Sequence, residues 1–187
     1  MNLPNSLSFL RIFLVLPIIY FFVIGNHLVA FWLFFVANVS DFLDGYLARA
    51  YNQLTSFGRM IDPIADKILI SSMLLLLTYY GFIPFWLTLL VMLRDVLLVF
   101  FGFYLRFLGL ADKLYVTFIS KVNTVLQMAF VSWIMLQNAF HMLNDSVVLA
   151  NITFISIIIL ACTTVATGLH YLYIAAKVYT DRGEIHE

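Results

Sequence analysis

DFLDGYLARAYNQLTSFGRMIDPIADK, running from Asp41 to Lys67, decides how this chain is read. It sets four aspartates, Asp41, Asp44, Asp62 and Asp66, at intervals of three, eighteen and four residues, between flanks that are almost pure hydrocarbon. Spacings of three and four put each pair on one face of a helix. A carboxylate at the centre of a membrane helix costs about 2.5–3.5 kcal/mol on insertion scales, and far less near an interface. One or two acids lining a wet loop could be tolerated without a task. Four that converge add mutual repulsion to desolvation, and cations relieve both.

The flanks fix the class. The chain has 187 residues, 64% of them hydrophobic and only 11% charged, with a mean hydropathy of +1.01. Soluble domains carry roughly 25% charged residues, so this chain could not cover its own surface against water. Apolar runs of eighteen or more residues recur, each long enough to cross hydrocarbon about 30 Å thick as a helix. The fold class expected is all-α: a polytopic membrane protein, a six-transmembrane-helix bundle in one domain spanning residues 1–187. The spans fall at about 7–25, 28–50, 58–80, 84–107, 118–138 and 147–178, and glycine, proline or small polar residues break the chain at GNH, YYGFIP and QNAFHMLNDS. The last span is long enough to tilt or to run on beyond the bilayer. Because no small-residue cleavage site ends the first run, it is a span and not a removable signal. No internal repeat or second domain is visible.

Basic residues orient the bundle. Arg49 and Arg59 flank the second connection, Arg106 and Lys113 sit at the fourth, and Lys177 and Arg182 are in the C-terminal tail, while Arg11 lies near the N-terminus. The first, third and fifth connections hold no Lys or Arg. Positive-inside asymmetry then places both termini in the cytoplasm, and the aspartates at the cytoplasmic face. Lys67, Arg94 and Lys121 fall in or near the ends of apolar segments. The leading MNLPNSLSFLR is either a short interfacial helix capped by Asn5 or an unstructured lead. The formal net charge is zero, so no basic excess argues for nucleic acid, and Cys162, alone in an apolar run, offers neither a disulfide nor a thiolate metal site. His170 and its neighbouring tyrosines form an interfacial anchor, and neither they nor His27 and His141 are assigned to catalysis. The triplets at Asn38, Asn144 and Asn151 that match a glycosylation pattern are chance matches.

Carboxylates without histidine or cysteine nearby favour hard divalent ions, Mg²⁺, Mn²⁺ or Ca²⁺. Four acids suffice for two ions, and two ions suit in-line displacement at phosphorus, where attacking and leaving oxygens both carry charge. Gly45 and Ala48 continue the face of Asp41 and Asp44, and Gly58 precedes Asp62 by four residues. Small side chains there admit either a ligand or a close helix neighbour. Pro63 means that the third helix starts near it or is kinked.

The pattern Asp41-x2-Asp44-Gly45-x2-Ala48-Arg49-x8-Gly58-x3-Asp62-x3-Asp66 resembles the signature of the CDP-alcohol phosphotransferases at every fixed position. The resemblance implies a membrane enzyme with two divalent cations, Mg²⁺ or Mn²⁺, and a CDP-linked donor, CDP-diacylglycerol. It implies that Asp41, Asp44, Asp62 and Asp66 are metal ligands, with Asp66 also the general base. Gly45, Ala48, Arg49 and Gly58 would bind the CDP donor. Homodimers are common in the family.

The acceptor is read from later segments. NLPNSLSFLRI resembles both phosphatidylglycerophosphate synthases and CMP-forming cardiolipin synthases, while LRDVLLVFFGFYLR from Leu93 and TFISKVNTVLQ from Thr117 resemble the second group. Asn123 stands where the first group tends to have a second lysine. A dianionic acceptor such as glycerol 3-phosphate wants several fixed cations, whereas monoanionic phosphatidylglycerol is anchored by its own chains. Arg94 and Lys121 are therefore the expected acceptor-binding residues, and phosphatidylglycerol the expected acceptor, giving cardiolipin and CMP. Glycerol 3-phosphate is the alternative. Simpler roles for these residues are a neutralised Arg94–Asp95 pair and a Lys121 that snorkels to the surface. A short chain without an Arg-rich amphipathic leader points to a bacterial inner membrane. A transporter is the rival class, but its acids usually lie near the midplane, often on repeated broken helices, and here they cluster toward one surface without a second set.

Overall fold

A computed structural model describes the backbone of residues 3–50, 58–107, 118–140 and 147–183, and side chains within 10–40, 65–102, 118–140 and 147–175. Among the described residues there are six helices and no strand: α1 (Leu3–Val23), α2 (His27–Ala50), α3 (Gly58–Tyr79), α4 (Phe85–Phe107), α5 (Phe118–Ala139) and α6 (Val147–Gly183).

Two of the turns share one glycine device. At the end of α1, Asn26 N–H donates to Phe21 O at 2.9 Å and Gly25 N–H to Phe22 O at 3.1 Å, with Gly25 at φ 82°. At the end of α3, Phe82 N–H donates to Leu77 O at 2.9 Å and Gly81 N–H to Thr78 O at 3.0 Å, with Gly81 at φ 78°. These are Schellman closures, in which a left-handed residue satisfies the last carbonyls of the helix, and glycine takes that conformation without a Cβ clash. Asn26 then caps α2, its Oδ1 accepting from Val29 N–H at 3.4 Å.

Two helix starts that the sequence leaves open are fixed by the backbone. Helix α1 runs from Leu3, so Asn5 lies inside the helix and not ahead of it. Pro4 falls in its first turn, where a missing N–H leaves no intrahelical bond unmade. Helix α3 runs from Gly58, in line with the expected span of 58–80, so Pro63 lies inside it and not at its start.

The helices close into a ring that does not follow chain order. α1 packs on α2 and α3, α2 on α5, α5 on α6, α6 on α4, and α4 on α3, while α3 also touches α5 across the ring. Ile18, Phe22, Phe34, Met73, Leu77, Leu87 and Ile134 fill the interior. The outside is apolar too, with Phe13, Leu16, Trp32, Phe100, Phe154 and Leu169 exposed, which suits a bundle solvated by hydrocarbon. Among the described residues, three helices are long and apolar enough to cross a membrane, over Phe85–Gly102, Phe118–Ala139 and Val147–Ala175, and Leu10–Val23 and His27–Ser40 are shorter apolar stretches.

Candidate active site and its relatives

α2 carries Asp41, Asp44, Gly45, Ala48 and Arg49 in its C-terminal part, and α3 carries Gly58, Asp62 and Asp66 in its N-terminal part. Both helices pack against α1 and α5. The side chains of Asp41, Asp44, Ala48, Arg49 and Asp62, and the surroundings of Gly45 and Gly58, lie outside the described residues. Among the described residues, no three His, Cys, Asp or Glu side chains gather as a metal site. The donor set fits hard divalent ions by its chemistry, since every candidate ligand is a carboxylate.

Asp66 is described, and it has a partner that sequence reasoning misses. Arg11 of α1 reaches it, Nη1 to Oδ1, with the arginine side chain 2% exposed and the aspartate 24%. Counting Arg11 only as an orienting charge near the N-terminus overlooks this. The available signal is that Arg11 is the one charged residue of α1, and a lone charge in an apolar helix has to be neutralised.

A second cluster lies beside this pair in sequence, at Lys67. The Lys67 ammonium and the Arg94 Nη1 both reach Asp95 Oδ1, at 3.0 and 2.7 Å. Two cations thus share one carboxylate oxygen, and the trio carries one net positive charge. Arg94, 4% exposed, also donates from Nη2 to Ser120 Oγ at 2.7 Å and from Nε to Thr167 Oγ1 at 3.2 Å. One planar guanidinium therefore ties α4 to α5 and α6, a fork that lysine cannot reproduce. Lys67 and Asp95 are not singled out as site residues by the sequence alone.

Lys121 is not part of this cluster. Ser120 is buried and faces Arg94, while Lys121, the next residue on α5, is exposed. Successive helix residues turn by about 100°, so neighbours in sequence point apart. Asn123 is fully buried, and its Oδ1 accepts from Thr163 Oγ1 at 2.8 Å and Thr164 Oγ1 at 3.2 Å on α6. Two apolar grooves flank α4. One, of about 240 Å³, is lined by Arg94, Leu97, Phe101, Gly168 and Tyr171. The other, of about 210 Å³, is lined by Lys67, Met92, Asp95 and Val99.

The pattern that defines the CDP-alcohol phosphatidyltransferases matches residues 1–167. A human protein named cardiolipin synthase (CMP-forming) is 37% identical over 147 residues, covering 70% of this chain and 49% of its own length. A Bacillus subtilis protein named CDP-diacylglycerol--glycerol-3-phosphate 3-phosphatidyltransferase is 30% identical over 153 residues, covering 73% of this chain and 78% of its own. A Rickettsia felis protein of the same name is 49% identical over 79 residues, 41% of this chain and 44% of its own. The chain thus spans about half the length of several curated relatives it matches. A defining pattern that runs through α1 to α5 and most of α6, and takes in all four aspartates, settles kinship: the chain belongs to the CDP-alcohol phosphatidyltransferase family.

Proposed function

We propose that this protein transfers the phosphatidyl group of CDP-diacylglycerol to a hydroxyl of phosphatidylglycerol, releasing CMP and forming cardiolipin. The observation that carries the choice of acceptor is the Lys67–Asp95–Arg94 trio, with one net positive charge and Lys121 outside it. One net charge suits a monoanionic phosphodiester. A dianionic phosphomonoester would be left half-neutralised in a partly buried place, which is costly. The relative named as a CMP-forming cardiolipin synthase supports the same choice.

In this reading Asp41, Asp44, Asp62 and Asp66 hold two Mg²⁺ or Mn²⁺ ions. Such ions, bound there, would supply positive charge to offset the charge on the attacking and leaving oxygens. Gly45, Ala48, Arg49 and Gly58 seat the donor. The acceptor oxygen forms its bond to the lipid-side phosphorus as the bond from that phosphorus to the CMP oxygen breaks. The acceptor proton passes to Asp66, and the electron pair of the broken bond leaves with CMP. Arg11 engages Asp66 through Oδ1 and so holds the carboxylate in place. Arg94, with Lys67, holds the acceptor phosphodiester; Lys121 attracts anionic lipid at the surface. All six helices cross the bilayer with both termini cytoplasmic, in a bacterial inner membrane, and the chain works as a homodimer.

Glycerol 3-phosphate is the second reading, favoured by the names of the Bacillus and Rickettsia relatives. A product assay on purified protein decides between them, with CDP-diacylglycerol, Mg²⁺ or Mn²⁺, and each acceptor offered separately. Cardiolipin plus CMP from phosphatidylglycerol is expected. Phosphatidylglycerophosphate from glycerol 3-phosphate alone would replace this acceptor and leave the four-aspartate chemistry standing.

A further inference from the structure

Two carboxamides on α5, Asn123 and Gln127, are 0% and 1% exposed. Threonine hydroxyls on α6 hold the Asn123 carbonyl oxygen, which fixes the plane of its amide. Its Nδ2 then has no acceptor among the described residues, and Gln127 Nε2, one turn further along the same face, has none either. Other buried amides of the helix are not left this way. Gln137 Nε2 donates to Thr153 Oγ1 at 3.0 Å, and Asn138 Nδ2 to Ile134 O at 2.8 Å. Two NH₂ groups a turn apart, shut away from water and unpartnered among the described residues, are donors suited to an oxygen ligand.

Their position says which oxygen. Ser120, Asn123 and Gln127 lie along the buried face of α5, and Ser120 is held by Arg94. The amides therefore continue inward from the charged trio proposed to bind the acceptor phosphate. Neutral donors beyond a cationic cluster suit the uncharged part of the same molecule. We propose that Asn123 and Gln127 form a hydroxyl-reading subsite for a glycerol unit, recognising the central hydroxyl that the reaction leaves untouched. This rests on the acceptor carrying a glycerol unit, as both phosphatidylglycerol and glycerol 3-phosphate do. The two residues set specificity; they make and break no bond.

The test compares phosphatidylglycerol with phosphatidyl-1,3-propanediol, which keeps the phosphodiester and the attacking hydroxyl but lacks the central one. Wild-type protein is expected to prefer the glycerol lipid by about 10² in kcat/KM, because a site built for a hydroxyl leaves buried donors unpaired when the hydroxyl is missing. Gln127→Met should cut that preference by about tenfold, by slowing the glycerol lipid and sparing the analogue. Equal slowing of both acceptors would assign the amides a purely structural or water-binding role and overturn the proposal. So would a wild type that does not discriminate, a result that needs no variant to fold. A wild type active only on glycerol 3-phosphate would remove the acceptor reading instead. The same comparison with 3-hydroxypropyl phosphate would then test the subsite by the same criterion.

Discussion

The two ends of α5 bury polar groups in opposite styles. Toward its C-terminus the groups are neutral and close on themselves: Trp133 Nε1 and Gln137 Nε2 both donate to Thr153 Oγ1, which in turn donates to Gln137 Oε1. Nearby at that end of the bundle, Thr78 and Thr88 join α3 to α4 through their hydroxyls, and Phe22 packs its ring against His27, Tyr80 and Phe82 to lock two turns together. Toward the N-terminus of α5 the groups are charged or incomplete: a trio with net charge, an arginine gripping Asp66, and two amides without acceptors among the described residues. A bundle that only had to stand in hydrocarbon would use the first style throughout, since neutral closed networks carry less desolvation cost. On the reading proposed above, the second style is where a ligand would complete the structure.

That contrast can be broken in several places. Asp41→Asn should have the largest effect, lowering CMP release by about 10³ or more while thermal unfolding in detergent changes little, because the change removes a charge proposed to bind metal without altering volume. Unchanged turnover would remove the aspartate end from the chemistry. Arg94→Lys should cost about ten- to a hundredfold in kcat/KM for the acceptor, since lysine keeps the charge but loses the fork that spans Asp95, Ser120 and Thr167. Arg11→Met should destabilise the fold by about 3–5 kcal/mol, read by denaturation, because it leaves the Asp66 carboxylate without its buried partner. At the other end, Thr153→Val should cost about 1–3 kcal/mol of stability with kcat/KM intact; a loss of activity without a loss of stability there would erase the distinction. The smallest effect is expected at Gly168, where an added Cβ meets nothing within 4 Å. Gly168→Ala should therefore stabilise by about 0.5–1 kcal/mol through helix propensity alone.

How much of this is legible in sequence follows from the range of each interaction. Helix limits depend on local chemistry, so GNH and YYGFIP announce the two glycine closures, and the expected spans fall within a few residues of the helices. The order of helices around the ring is not legible, since α2 chooses α5, and α4 chooses α6, by side-chain fit between distant segments. Arg94 stands out by its charge, and charge alone groups Lys121 with it, although the two lie on different helices. The spacing of Ser120, Asn123 and Gln127 already traces the inward face of α5 and leaves Lys121 off it. Arg11 is legible as an unmatched charge in an apolar run, yet its partner is not. Arg11 and Asp66 lie on different helices, α1 and α3, and spacing along the chain does not report a contact between two helices.

The measurement that tests the central claim most directly is CMP release from CDP-diacylglycerol by purified protein stripped of metal and then resupplied. The account predicts no release in chelator, full recovery with Mg²⁺ or Mn²⁺, and two ions bound per chain, a number that Asp41→Asn lowers. Turnover that persists in chelator, or ion binding that Asp41→Asn leaves unchanged, would contradict it.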